Sequence, residues 1–368
     1  MPESTFVVHL DDFHGFIVKK RYPSTLTLNE KVLNLIYEEQ QRENKELSLA
    51  EIEGLRIAIF SSPLYPKWMV CTILGAEEEF DQITEGLSGS GRLILALMIE
   101  DADSVNLEEI VKAGSVLDKT SEEQKLAQIF LTPSSALLLE RMQFQGLEKA
   151  AKLSIWLKNQ VQDEVDLREA MAPLMNTGVV KVELVGKTSE MVFLMKDIFG
   201  YRAPPVDSVK KASHTMPQIF EKYNEYVTAF FSPPPPSKGY NPTLPVDNPN
   251  SPILEDREKI SRLLADSLNY MVLEALRPEP LTSSEIALKT ALPESIVEKV
   301  LYSLEADKVV VRFEDGNIWG LLTNPRIESF MPEYVLPKIK NKLSEKEITP
   351  QVARRHLELL IENYGEPV

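Results

Sequence analysis

"LTSSEIALKTALPESIVEKVLYSLEADKVVVRFEDGNIWGLLT", residues 281–323, lays out a small α/β unit almost element by element. Ser283 or Ser284 can cap a short helix, "SEIALKTA", and "LPE" turns the chain into a second one. In "SIVEKVLYSLEADK" the residues Ile296, Val297, Val300, Leu301 and Leu304 recur at helical spacing, so they predict one buried face. "VVVRF" and "IWGLLT" read as strands joined across Asp315-Gly316, a strong hairpin signal. Just upstream, "EDREKISRLLADSLNYMVLEALRP" predicts a long helix stopped by Pro278. Downstream, "PQVARRHLELLIENYG" predicts a last helical region.

Working backwards, "SPPPPSKGYNPTLPVDNPNSP", residues 232–252, is the clearest boundary. Four consecutive prolines favour polyproline II, and this composition sustains neither a helix nor a central strand. A semi-rigid spacer is the plain reading, and a ligand for an aromatic groove the sharper one. Before it, residues 119–231 predict helices at "SEEQKLAQIF", "SSALLLERMQFQG", "LEKAAKLSIWLKNQ" and "VDLREAMAPLMNTG", the last ending at Gly178. "VVKVELVG" and "EMVFLMKDIFGY" then form a hairpin around "KTS".

Residues 1–118 read as strand, strand, helix, strand, strand, helix. "TFVVHL" and "FIVKKRY" flank the turn "DDFHG". The helix holds Val32, Leu33, Leu35, Ile36 and Tyr37 with Leu28 before it, capped by Asn29 or Thr27. The strands "LRIAIFS" and "KWMVCTILG" follow, and "RLILALMIE" closes the domain as a helix beyond a junction at Gly86 to Arg92, "GLSGSGR". That junction lacks the lysine and glycine order of a phosphate loop.

Composition narrows the function. With 43% hydrophobic and 26% charged residues the 368-residue chain is globular and long enough for two or three domains. A formal charge of −16 disfavours nucleic acid unless positive charge is locally concentrated. No apolar run reaches the roughly 18 residues of a membrane span, and the N-terminus has no secretory pattern, so cytoplasm is the expected location. Cys71, the single cysteine, excludes an internal disulfide and reads as a buried strand residue. His9, His14, His214 and His356 have no metal-site spacing. His9 and His14 flank Asp11 and Asp12, which suits either a small cluster or an Asp turn bonding its own backbone. No nucleophile elbow or Cys/His pattern occurs, so no catalytic residue, metal or cofactor is expected.

Two resemblances follow. "HLDDFHGFIVKKRYPSTLTLNEKVLNLIY", with Gly15 in its turn and Tyr22-Pro23 ending its second strand, resembles the opening of longin-like domains in the outline of the folliculin and nitrogen-permease-regulator proteins. The likeness implies a longin/roadblock-like, profilin-like α/β platform that binds small GTPases or other longin and roadblock proteins. It also implies a third strand where this chain offers "AEEEFDQITEGL", which reads as helix. Arg21, Arg56 and Arg92 match no defined motif. Residues 253–368, centred on the opening stretch, resemble a winged-helix domain with trailing helices, and the middle segment resembles one in outline. Winged helices read DNA in some proteins and bind proteins in others.

The expected fold class is therefore α+β: a longin-like domain, helical and winged-helix domains, and a proline-rich linker. The charges bear on which use is made of it. A DNA-reading helix needs Arg, Lys, Asn or Gln outward, but this one offers Glu294, Glu298, Glu305 and Asp307, with Glu314 and Asp315 in the hairpin turn, against Lys299 and Lys308. With Lys19, Lys20 and Arg21, the densest basic spot of the N-terminal domain, these acids are the candidate protein-interaction residues. The expected function is a non-catalytic adaptor or scaffold. The alternative is a winged-helix transcriptional regulator, with Lys338, Lys340, Lys342 and Lys346 as a different DNA-facing surface.

Overall fold

The computed structural model describes residues 4–43, 45–75, 78, 80–102, 105–108, 110, 121–161, 165–186, 189–244, 248–249, 251–313 and 317–364. The chain is α+β, with helices and small sheets. It forms two compact units, one of Met1–Ser121, Arg202–Pro252 and Arg262–Pro325, the other of Glu122–Tyr201, Ile253–Ser261 and Arg326–Val368.

The first unit contains a five-stranded sheet of β1 (Ser4–Asp11), β2 (Gly15–Tyr22), β3 (Leu47–Ile52), β4 (Leu55–Ser61) and β5 (Trp68–Leu74). Its order is β2-β1-β5-β4-β3, with every neighbour antiparallel. Helix α1 (Glu30–Glu43), started by Asn29 accepting from Val32 N, covers one face. There Val32, Leu33 and Ile36 pack with Phe6, Val8, Ile57, Ile59, Met69 and Cys71. The intervening residues Val7, Ala58, Phe60 and Val70 are buried too, because α2 (Phe80–Asp101) packs on β4 and β5. Burial on both faces explains why these strands read as unbroken apolar runs.

Two expectations fail in this region. β3 was not foreseen: "LSLAEI" is an edge strand with Leu49 and Glu51 outward, too short and mixed to stand out. It supplies a third strand after α1, ahead of β4. The glycine-rich junction is not a junction either, because α2 runs through it without a break. A Cβ on Gly91 would stand 2.4 Å from Phe60 Cγ, so glycine here lets the helix lie close on the sheet. From Leu93 to Met98 the helix is buried continuously, packed between the sheet and the helix Ser267–Leu276.

The predicted long helix is in fact two, α9 (Ile253–Ala265) and α10 (Ser267–Leu276). Asp266 breaks it by turning extended and capping α10 through Asn269 N at 2.9 Å. Then come β10 (Leu281–Thr282), α11 (Ser283–Thr290), α12 (Glu294–Ala306), β11 (Val310–Phe313) and β12 (Ile318–Leu321), with sheet order β10-β12-β11. The cap of α11 is Thr282, not Ser283 or Ser284, and Glu285 reaches back to complete a capping box. Ile296, Val297, Val300, Leu301 and Leu304 are all buried as predicted.

Helices α7 (Val206–Thr215) and α8 (Pro217–Phe231) complete the first unit against this sheet. Ala212, Ile219 and Tyr223 pack with Phe313 and Ile318. The proline-rich segment doubles back onto the end of α8. Tyr240 N donates to Phe230 O at 3.1 Å, and its ring lies against Phe230 and Phe231.

In the second unit, α3 (Glu122–Leu131), α4 (Pro133–Gln145), β6 (Leu147–Lys149), α5 (Ala150–Gln160), α6 (Leu167–Asn176), β7 (Val180–Val185) and β8 (Ser189–Leu194) form a three-stranded sheet, order β6-β8-β7, with its helices. "LEK", read as the start of a helix, is the strand β6. The predicted strand "EMVFLMKDIFGY" is two, because the chain leaves β8 at Met195-Lys196 before β9 (Asp197–Ala203). β13 (Asn324–Phe330) pairs with β9. Helices α13 (Val335–Ser344) and α14 (Pro350–Tyr364) pack on this unit's sheet and helices.

Candidate protein-interaction surface

The basic run on β2 does not make one patch. β1 pairs Phe6 with Arg21, Val7 with Lys20 and Val8 with Val18, so Lys19 is the extra residue of a bulge. Lys19 is exposed, whereas Arg21 points toward the α1 side and donates to Leu26 O at 2.7 Å. Lys20 faces the other way and donates to Ala102 O at 2.6 Å, just past the end of α2. Helix α2 has no basic residue in its own last turn. Lys299 of α12 reaches the same end, donating to Glu100 O at 3.0 Å. Two lysines distant in sequence thus satisfy terminal carbonyls and oppose the helix dipole.

The acidic set on α12 divides as well. Glu294 accepts from Ser283 Oγ at 3.1 Å and from Ser284 Oγ, tying the start of α12 to the start of α11. Asp307 ends the helix, and its backbone carbonyl accepts from Arg202 at 2.9 Å. Glu298 and Glu305 remain exposed. With Tyr302, half exposed, they stand at i, i+4 and i+7, one outward face. Arg312 donates to Asn317 at 3.0 Å and to the Tyr302 hydroxyl at 3.2 Å, and its guanidinium lies over the Trp319 ring. Glu314 and Asp315 lie outside the described residues. What α12 presents is two carboxylates flanking a tyrosine whose ring is held from behind by Trp319.

Two of the four lysines proposed as a different DNA-facing surface are engaged within the protein. Lys338 donates to Gln143 O, and Lys342 donates to Gln145 at 2.6 Å. Lys340 and Lys346 are exposed.

At the β1–β2 turn, Asp11 accepts from Phe13 N and His14 N at 3.0 Å and lies 2.9 Å from His14 Nδ1. The backbone bond from Phe13, then the contacts with His14, hold its carboxyl down at about 2. His9 takes no part and lies over the Trp68 ring, 4.3 Å between centroids. The turn is the self-bonded Asp turn, and Phe13 projects from it 93% exposed. Sequence reasoning passed over that aromatic, although its place between Asp12 and His14 in a tight turn was the available signal.

No group of three metal-ligating side chains occurs among the described residues. Arg92 forms a two-point ion pair with Glu46, at 2.7 and 2.6 Å. Beside it, Ser62, Tyr65, Arg92 and Asp266 line a cleft of about 10 Å3, room for roughly one water. Tyr65 closes it by donating to Asp266 at 2.6 Å. Burial raises the carboxyl of Asp266 and the phenol of Tyr65. Among the described residues, no helix is long and apolar enough to cross a membrane. No protein-family model matches the chain, and neither does any curated protein or solved structure.

Proposed function

We propose that this protein is a non-catalytic adaptor that uses a longin-like platform and winged-helix modules to bind other proteins, a small GTPase among them. The observation that carries the reading is the outward face of α12. Glu298 and Glu305 would meet phosphate with anions, while Tyr302 between them, exposed and backed, suits a protein partner with basic residues at its rim. Lys299, the cation that α12 could offer DNA, is engaged at the end of α2. Two topologies support the domain readings: the order β2-β1-β5-β4-β3 between α1 and α2, and the order β10-β12-β11 behind α11 and α12.

The test uses the full chain. Salt-titrated binding to mixed-sequence duplex DNA should stay weak and nonspecific. Specific binding below micromolar at physiological salt would sink the adaptor reading in favour of a transcriptional regulator. Capture of nucleotide-loaded small GTPases, weakened by Tyr302→Ala combined with Glu298→Lys, is the expected positive result.

A further inference from the structure

The elements from α3 to α8 and from α9 to α14 follow one order: helix, helix, strand, helix, helix, three strands, helix, helix. Both three-stranded sheets place their last strand in the centre, β6-β8-β7 and β10-β12-β11. Individual hydrogen bonds repeat as well. Gly178 and Lys308 both turn left-handed after the fourth helix, with φ of 70° and 57°. Each donates three residues back, to Met175 O and Glu305 O, at 3.0 Å. The next residues, Val179 and Val309, donate to Leu174 O and Leu304 O at 2.8 Å. Their own carbonyls each accept twice, Val179 O from Met195 and Lys196, Val309 O from Leu322 and Thr323.

The match extends beyond the sheets. Gln143 and Arg277, both at the end of the second helix, donate to the side chain that opens the following strand pair, Asp197 at 2.6 Å and Asn324 at 3.1 Å. The last helices begin Pro217-Gln218 and Pro350-Gln351. Six residues beyond each proline stands a buried ring, Tyr223 or His356. Tyr223 donates to Leu321 O at 2.8 Å and His356 Nε2 donates to Leu194 O at 2.9 Å, those carbonyls belonging to the last residues of β12 and β8.

We infer that residues 122–231 and 253–364 are two copies of one module, and that the sheet of that module is a socket for the terminal helix pair of another copy. The exchange is visible within the chain. Helices α7 and α8 follow β8 in sequence but belong to the first unit with β12, and α13 and α14 follow β12 but belong to the second unit with β8. Neither pair fills the socket of its own copy. The partner this surface recognises is therefore a protein carrying the same module, beginning with a second copy of this chain. The ring at position 223 or 356 fits the pair to its seat: Tyr223 reaches Ser208 at 3.1 Å and meets the edge of Phe313, while His356 lies against Phe193. This inference deepens the adaptor reading by naming a partner class, and rests on it only for the purpose of the socket.

Two arms test it on the full chain. In the first, Tyr223→His and His356→Tyr interchange the rings, with Tyr223→Phe and His356→Gln as controls, and melting temperature is followed from neutral to mildly acid pH. Both interchanges should fold, Tyr223→His losing melting temperature on acidification more steeply than wild type and His356→Tyr less steeply. Failure of either interchange to fold where its control folds, or unchanged pH slopes, overturns the equivalence of the sockets. In the second, tagged and untagged chains are denatured together and refolded at high micromolar concentration. A mixed species with the mass of two chains is expected, and none when folded chains are merely mixed. Absence of that species after joint refolding overturns recognition in trans. Neither arm involves a GTPase or DNA, so their failure is separable from failure of the adaptor reading.

Discussion

Acid should loosen the second unit through His356. Its Nε2 donates to Leu194 O, and its Nδ1 is buried without a hydrogen-bond partner, so a proton added there has nothing to meet. Burial pushes the imidazole down to about 4, against the pull of the Leu194 carbonyl. An unfolded histidine titrates near 6.5. Above that value both states are neutral and the folded state keeps its full stability. As pH falls below it, the unfolded chain takes up the proton first, and stability drains away until the folded state also titrates. The shift corresponds to a limiting loss of about 3 kcal/mol, of which about 2 kcal/mol is reached near pH 5. Carboxylates titrate in the same range, so the measurement is a difference. Denaturant unfolding of wild type and His356→Gln, whose amide can still donate to Leu194 O, is compared at about pH 7.5 and about pH 5. Wild type should lose about 2 kcal/mol more than the variant over that interval. Parallel losses would refute the account, because they would mean that the ring is hydrated or finds an acceptor for Nδ1.

Three further outcomes follow from single contacts. Gly91→Ala should destabilise by about 1–3 kcal/mol in thermal melts, because the new methyl collides with Phe60; a gain of about 1 kcal/mol, the sign that helix propensity alone dictates, would show that α2 can move off the sheet. Thr282→Ala removes the capping box of α11 and should cost about 1 kcal/mol in denaturant unfolding, with Ser283→Ala as a comparison that leaves the cap intact. Tyr223→Phe leaves the buried Leu321 carbonyl without its donor and should lower stability by about 1–3 kcal/mol with no change in pH slope, in contrast to His356→Gln.

Much of the fold was legible where a segment's pattern and its surroundings agree. The five apolar residues of α12, the hairpin after it, the helix after β2 with its apolar face, and the burial of Cys71 were all foreseen. The misses share a cause: a local pattern answered to a distant partner. "DREKISRLLADSLNYMVLEAL" has unbroken helical periodicity, yet Asp266 breaks it where its side chain takes up both the start of α10 and the Tyr65 hydroxyl, far off in sequence. "GLSGSG" looks like a loop because glycine disfavours helix, but contact with Phe60 requires a residue without a Cβ. The candidate site was partly legible. Glu298 and Glu305 stay exposed as expected, whereas Lys20 and Glu294 are committed to helix ends.

By itself the sequence determined the charge of the surface, the buried face of each amphipathic helix and most of the strands, because hydrophobic periodicity and turn residues act over a few positions. Only the tertiary structure decided which lysines are free, where the long helix breaks, and that residues 122–231 and 253–364 repeat one another. The repeat escapes the sequence because its signature lies in backbone donors and carbonyls, which every residue but proline carries alike, while the side chains above them have diverged from Gly178 to Lys308 and from Tyr223 to His356.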